Sequence, residues 1–204
     1  MPLNPAACAN IVRTNPGNLV DATIYTGGLN AQQQTVEGLD FETSYRWQVG
    51  DVFKALDGGQ LDIRLLASRR LTSETILAGA LTNALGTTGD GPRWRGLLTL
   101  GYLQGPSRTT VSVRHLGSGV LNNWPQGHPQ SIDINHYNSV TYVELAQNYD
   151  FTVFGANMTV YGVVQNLFNK APPPVPTAGA TSIGADSLHD LLGRAYRLGF
   201  RYRF

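Results

Sequence analysis

The alternation of apolar and polar positions is clearest at the carboxyl end. There Tyr196, Leu198, Phe200, Tyr202 and Phe204 alternate with Ala195, Arg197, Gly199, Arg201 and Arg203. Successive side chains of a strand point to opposite sides, so a period of two predicts a strand with one apolar and one cationic face. The same pattern recurs upstream. Leu39, Phe41, Thr43, Tyr45 and Trp47 stand against Asp40, Glu42, Ser44 and Arg46, and Leu61, Ile63, Leu65 and Ala67 stand against Asp62, Arg64, Leu66 and Ser68. Trp94, Leu98, Leu100 and Tyr102 share a face of a predicted strand over 93–103, and Val111, Val113 and His115 oppose Thr110, Ser112 and Arg114 over 109–115. Further strands are predicted over 139–149, where Glu144 shares a face with Tyr142 and Ala146, and over 154–167. Near the amino end a short strand at 10–14 enters Asn15-Pro-Gly-Asn18, a turn sequence that opens a hairpin. From Leu19 the chain is extended, with an irregularity at Gly27-Gly28.

The connections fall into two classes. Short turns are predicted near 49–58, 105–107 and 150–153, and long loops over 71–92, 117–138 and 171–190. The first long loop lacks sustained alternation and leaves room for a short helical turn around Ser73 to Leu81. The third opens with Ala171-Pro-Pro-Pro-Val-Pro176, whose prolines donate nothing to a ladder and end pairing. Short and long connections alternate, which implies an up-and-down antiparallel sheet with one short-turn end and one long-loop end. A membrane barrel has this asymmetry, and a soluble up-and-down barrel can share it.

Asp40, Glu42, Arg46, Asp62, Arg64, Arg114, Glu144, Arg197, Arg201 and Arg203 all lie opposite the apolar set. Burying so many ionisable groups in a dry core costs several kcal/mol each, so they face water or one another. Two arrangements satisfy this. Either the charged face is the outside of a soluble sheet, or the apolar face meets lipid and the charged face lines a lumen. Trp47, Trp94, Tyr102, Tyr196 and Phe204 sit near strand ends on the apolar face, where an interfacial aromatic girdle belongs, and this favours lipid.

Composition adds boundaries. The 204 residues suit one domain, and a net charge of +1 with 14% charged residues gives no electrostatic reason to expect nucleic acid. Lysine occurs only at Lys54 and Lys170, so the basic charge is mostly arginine. The single cysteine, Cys8, excludes an internal disulfide framework. No apolar run approaches the roughly 18 residues of a membrane helix, and the amino terminus lacks the basic and apolar regions of a secretory signal, so an exported protein would be represented here by a fragment.

No catalytic constellation emerges. His115, His128, His136 and His189 lack metal-ligand spacing, and Ser131-Ile-Asp133 and Asp190 lack a positioned base, so neither an enzyme nor a cofactor or metal site is expected. The candidate ligand contacts are Trp124, His128, His136 and Tyr137 in the second long loop, aromatic and polar groups suited to a loop-lined mouth. Packing within the loop is the alternative role for them.

Several segments resemble one family. Glu37-Gly-Leu-Asp-Phe-Glu-Thr-Ser-Tyr45, Leu100-Gly-Tyr-Leu-Gln-Gly-Pro106, Val164-Gln-Asn-Leu-Phe-Asn-Lys-Ala-Pro172 and the strand from Gly193 to Phe204 are similar, in order and spacing, to the carboxyl-terminal part of the TonB-dependent outer-membrane receptors. The resemblance covers the chain from about Leu19. It implies an all-β, antiparallel, up-and-down transmembrane barrel of about twenty-two strands plugged by an amino-terminal domain, of which residues 1–204 supply about the last eight strands. Plug and energy-coupling box are absent, so the chain reads as a carboxyl-terminal fragment that forms an incomplete barrel or curved sheet. The implied function is energised uptake of a scarce ligand such as an iron chelate, vitamin or saccharide across the cell outer membrane. A soluble or surface β-sheet binding module and a passive porin remain the rivals. The implied partners are outer-membrane lipid, the plug and remaining strands, the TonB complex through the missing part, and the barrel assembly machinery, which would read Phe204. The charged set, including Arg197, Arg201 and Arg203, would face the lumen, with the last-strand arginines bridging to Asp40, Glu42 or the plug.

Overall fold

The computed structural model describes residues 11–13, 22–24, 33–51, 58–77, 79–125, 127–129, 131–175 and 188–203. Cys8, the Asn15–Asn18 turn, Gly27-Gly28 and Phe204 lie outside these residues. All described regular structure is β apart from a 3-10 turn at Val49–Asp51. Among the described residues no helix is long and apolar enough to cross a membrane.

The chain divides into two units. Residues 1–35 with 74–83 form the first. In it β1 (Ile11–Arg13) pairs antiparallel with β2 (Ala22–Ile24), as the predicted hairpin requires. Within the same unit, residues Glu74 to Leu77 pair with β5 (Ala80–Asn83). This hairpin replaces the loop and helical turn expected over 71–92: β4 runs unbroken from Gly59 to Leu77, and β-branched Thr72, Thr75 and Ile76 suit an extended chain.

Residues 36–73 and 84–204 form the second unit. Its strands are β3 (Gln33–Gln48), β4, β6 (Trp94–Gln104), β7 (Ser107–Leu116), β8 (Val140–Val153), β9 (Ala156–Gln165) and β10 (Ala195–Arg203). The sheet order is β10-β9-β8-β7-β6-β4-β3, with β5 paired to β4, giving eight antiparallel strands in an open sheet with β3 and β10 at its ends. Strand neighbours in sequence are thus neighbours in space, as the up-and-down reading expected. Gly105-Pro106 joins β6 to β7. The turn after β8 falls at Phe154-Gly155 rather than 150–153, both residues at positive φ (50° and 81°), because β8 pairs with β9 down to Val153 opposite Ala156. Such a turn twists with its strands.

Register fixes the two faces. One carries Leu61, Ile63 and Leu65 of β4, Leu98, Leu100 and Tyr102 of β6, Val111 and Val113 of β7, Val143 and Leu145 of β8, Val160 and Val164 of β9, and Tyr196, Leu198 and Phe200 of β10. On this face the apolar run is level across β4, β6 and β7, where Leu65, Leu98 and Val113 share one ladder line, and it moves toward the short turns between β7 and β10. In β7 it comprises Val111 and Val113 between Thr109 and His115, and in β10 it extends from Tyr196 to Tyr202. Following the ladder, Val111 lies level with Leu145, Val164 and Tyr196, so the β10 run begins where the β7 run ends. The centre moves about four residues along the strands while crossing three strand spacings, roughly 14 Å each way, which is a slant of roughly 45°.

The buried hydrophobic cluster lies on the other face. Leu116, Val140 and Tyr142 form the core cluster, with Leu188 packed against it. After β9 the chain makes a compact turn: Asn166 accepts from Lys170 N through Oδ1 (2.8 Å) and donates from Nδ2 to Lys170 O (3.0 Å). Asn169 Oδ1 then accepts from Arg194 N (3.0 Å), the residue before β10, and the absence of a side chain at Gly193 makes room for that oxygen.

Candidate functional site

The polar face at the long-loop end holds the most elaborate arrangement in the second unit. Leu97, Arg114 and Tyr142 stand side by side on β6, β7 and β8, and Thr99, Ser112 and Glu144 form the next row. The segment Leu188–Asp190 folds onto these rows. Arg114 Nη1 donates to Leu188 O (2.9 Å), and its guanidinium lies 5.1 Å from the Tyr142 ring centre. Asp190 N donates to Tyr142 Oη (3.3 Å), and His189 meets Tyr137 edge to face at 6.0 Å. Beside this segment lies a cavity of about 560 Å³ lined by Ser112, Arg114, Glu144, Gln165, Asn166 and Asp190. Its volume suits a small organic molecule, and both charge signs converge on it.

Toward the short-turn end of the same face Arg64 donates to Glu42 Oε1 from Nη2 (2.7 Å) and Nε (3.0 Å), and Arg46 pairs with Asp62. Arg46, Asp62 and Arg64, with Arg108, Gly101 and Thr110, border a second cavity of about 490 Å³. Glycine and threonine there keep the floor low, so long charged side chains can bend over it. A third ion pair, Arg70 with Asp90, ties the chain before β6 to β4, and Ser73 Oγ donates to the same carboxylate (3.0 Å).

Most of the predicted charged set lies together on this face. Ladder positions place Asp62, Arg64, Arg114, Glu144, Arg197 and Arg201 on one side, and the ion pairs to β4 bring Glu42 and Arg46, with Asp40 in the same alternation; the Arg203 side chain lies outside the described residues. Among the described residues Arg197 and Arg201 make no bridge to Asp40 or Glu42, because β3 and β10 lie at opposite ends of the sheet and Glu42 is engaged by Arg64.

The four loop residues divide. Trp124 and His128 stack nearly parallel, 4.3 Å between ring centres and 4° apart, across a turn in which His128 N donates to Pro125 O (3.1 Å). His136 is exposed and shares no ring contact with them among the described residues. Tyr137 is no surface contact: at 1% exposure it packs in the interior, and its backbone bonds with Gly119 in both directions. A Cβ on Gly119 would overlap the Tyr137 ring and the Gly86 carbonyl. Sequence reasoning missed the Leu188–Asp190 segment, Arg95 and Arg108 on the polar face, and Arg69 on the apolar one. Alternation within each strand, from Arg64 in β4, Trp94 in β6 and Arg114 in β7, was the available signal for the three arginines.

No family model, curated protein or solved structure matches the chain.

Proposed function

We propose that the chain is the carboxyl-terminal part of the barrel of a TonB-dependent outer-membrane receptor, serving energised uptake of a scarce ligand. The observation that carries this reading is the exposed apolar face that continues from β4 to β10 and steps toward the short turns between β7 and β10. Transmembrane strands tilt by roughly 35–45° to the barrel axis, so a band parallel to the membrane must cross them obliquely. Between β7 and β10 the run has a slant of that size, roughly 45°. Aromatic side chains at its borders, Trp94 at the long-loop end and Tyr102 and Tyr202 toward the short turns, add support.

In this reading the apolar face meets lipid and the polar face lines the lumen, where the ion pairs of β3 and β4 remain hydrated. The long loops face outward, and the cavity beside Leu188–Asp190 lies on the ligand's path, with the Trp124–His128 stack on the outer loop. The outer edges of β3 and β10 carry backbone groups that hydrocarbon cannot satisfy, and the remaining strands of the receptor pair with them. The reading assigns no catalytic step and no cofactor. Phe204 serves as the signal for the assembly machinery.

Fractionation tests the reading. The full-length protein is expected in outer membranes and to resist extraction by alkaline carbonate. Recovery in the soluble fraction of a detergent-free lysate would overturn it. A globular plug encoded upstream separates a receptor from a passive porin.

A further inference from the structure

The apolar face ends abruptly at the long loops. Arg69 stands directly opposite Trp94 there, its guanidinium 5.0 Å from the indole ring centre, and both are exposed. One register line nearer the turns, His115 pairs with Thr141, and its Nδ1 lies 2.9 Å from Thr141 Oγ1. Four adjacent strands thus change from Leu65, Leu98, Val113 and Val143 to a polar margin within one or two positions.

Arg69 takes part in none of the three ion pairs among the described residues. Its placement contrasts with Arg64, Arg95, Arg108, Arg114, Arg197 and Arg201, which the ladders put on the polar face. A cation on the lipid side, resting on an amphipathic indole, is suited to the level of headgroups and unsuited to hydrocarbon. Guanidinium presents paired donors that match phosphate oxygens, and an imidazole held by Thr141 supplies a further hydrogen-bonding atom, Nε2.

We infer that Arg69, with Trp94 and His115, forms a contact site for the phosphate of an anionic amphiphile in the leaflet on the long-loop side. Trp94 holds the guanidinium flat against the sheet, so the side chain is ordered before the lipid arrives. The apolar residues below, Leu65, Leu98 and Val113, take the acyl chains of the same molecule. The inference rests on the membrane reading above.

The test uses the full-length protein reconstituted into vesicles of phosphatidylcholine alone or with a minor fraction of phosphatidylglycerol, then re-extracted, with retained lipid quantified by mass spectrometry. Wild type is expected to retain phosphatidylglycerol above its bulk fraction. Arg69→Gln should lower that enrichment about fivefold, Arg69→Lys should keep most of it, and Arg197→Gln on the opposite face should leave it unchanged. Wild-type enrichment in Arg69→Gln, or an equal loss in Arg197→Gln, would overturn the inference while leaving the membrane reading intact. Displacement of the lipid by millimolar inorganic phosphate would overturn it too, assigning the site to the free anion. Failure to enter vesicles of either composition would overturn the membrane reading itself, and this inference with it.

Discussion

Leu116, Val140 and Tyr142, on the charged side of the sheet, are between 3% and 5% exposed, whereas Tyr196, Leu198 and Phe200, on its apolar side, are between 69% and 85% exposed. In a protein that folds against water alone the order is the reverse, because an apolar sheet face is covered first. Here the loops spend their apolar residues on the polar face, Leu188 among them, and no layer covers the other among the described residues. The face that stays bare is continuous over seven strands. In the proposed reading its solvent is hydrocarbon, and its stability then depends on that environment rather than on internal packing.

Substitutions that treat the two faces alike test this contrast. Leu116→Ala should cost about 2–5 kcal/mol by leaving a cavity in the buried cluster, while Leu198→Ala should cost little in detergent, where the micelle fills the space. Equal losses in urea unfolding followed by tryptophan fluorescence would erase the contrast. Charge sharpens it: Leu198→Arg should destabilise by about 2–4 kcal/mol near the bilayer midplane, and its neighbour Arg197→Leu should be tolerated. The reverse order in lipid vesicles would exchange the two faces. Gly119→Ala concerns the polar side alone, where the new methyl meets Tyr137 and the Gly86 carbonyl. A loss of about 1–3 kcal/mol is expected, read as a lower thermal midpoint with strand content preserved. The smallest effect belongs to the exposed pair of β3 and β4. Arg64→Ala should change stability by less than about 1 kcal/mol, and the difference should shrink in high salt.

The faces were legible because period two is local: Arg197 and Leu198 are assigned by their neighbours alone. Strand order followed from the short turns for the same reason. Loop packing was not legible. Arg114 reaches Leu188 across 74 positions, and nothing in either residue type announces the other. Tyr137 illustrates the same limit, since an aromatic in a polar loop reads as a ligand contact until the chain closes over it against Gly119. The β4–β5 hairpin escaped notice because its Thr- and Ala-rich sequence contrasts the two sides weakly. The polar margin was visible in principle, as Arg69 interrupts the series Leu61, Ile63, Leu65, Ala67.

The turn after β9 bears on how this chain tolerates change. Asn166 closes a ring with Lys170, and Asn169 holds the amide of Arg194 at the threshold of β10. The first rung of the last ladder, Gln165 opposite Ala195, is therefore set by side chains adjacent to the rung and not by the residues strung between Lys170 and Gly193. Doubling the length of that intervening loop would add only about 0.6 kcal/mol of closure entropy. Length between Val175 and Leu188 can therefore change at little cost, whereas Leu188 and Asp190 are held by their contacts with the Leu116, Val140 and Tyr142 cluster and with Arg114, and the alternation of Tyr196, Leu198 and Phe200 keeps its register with β9.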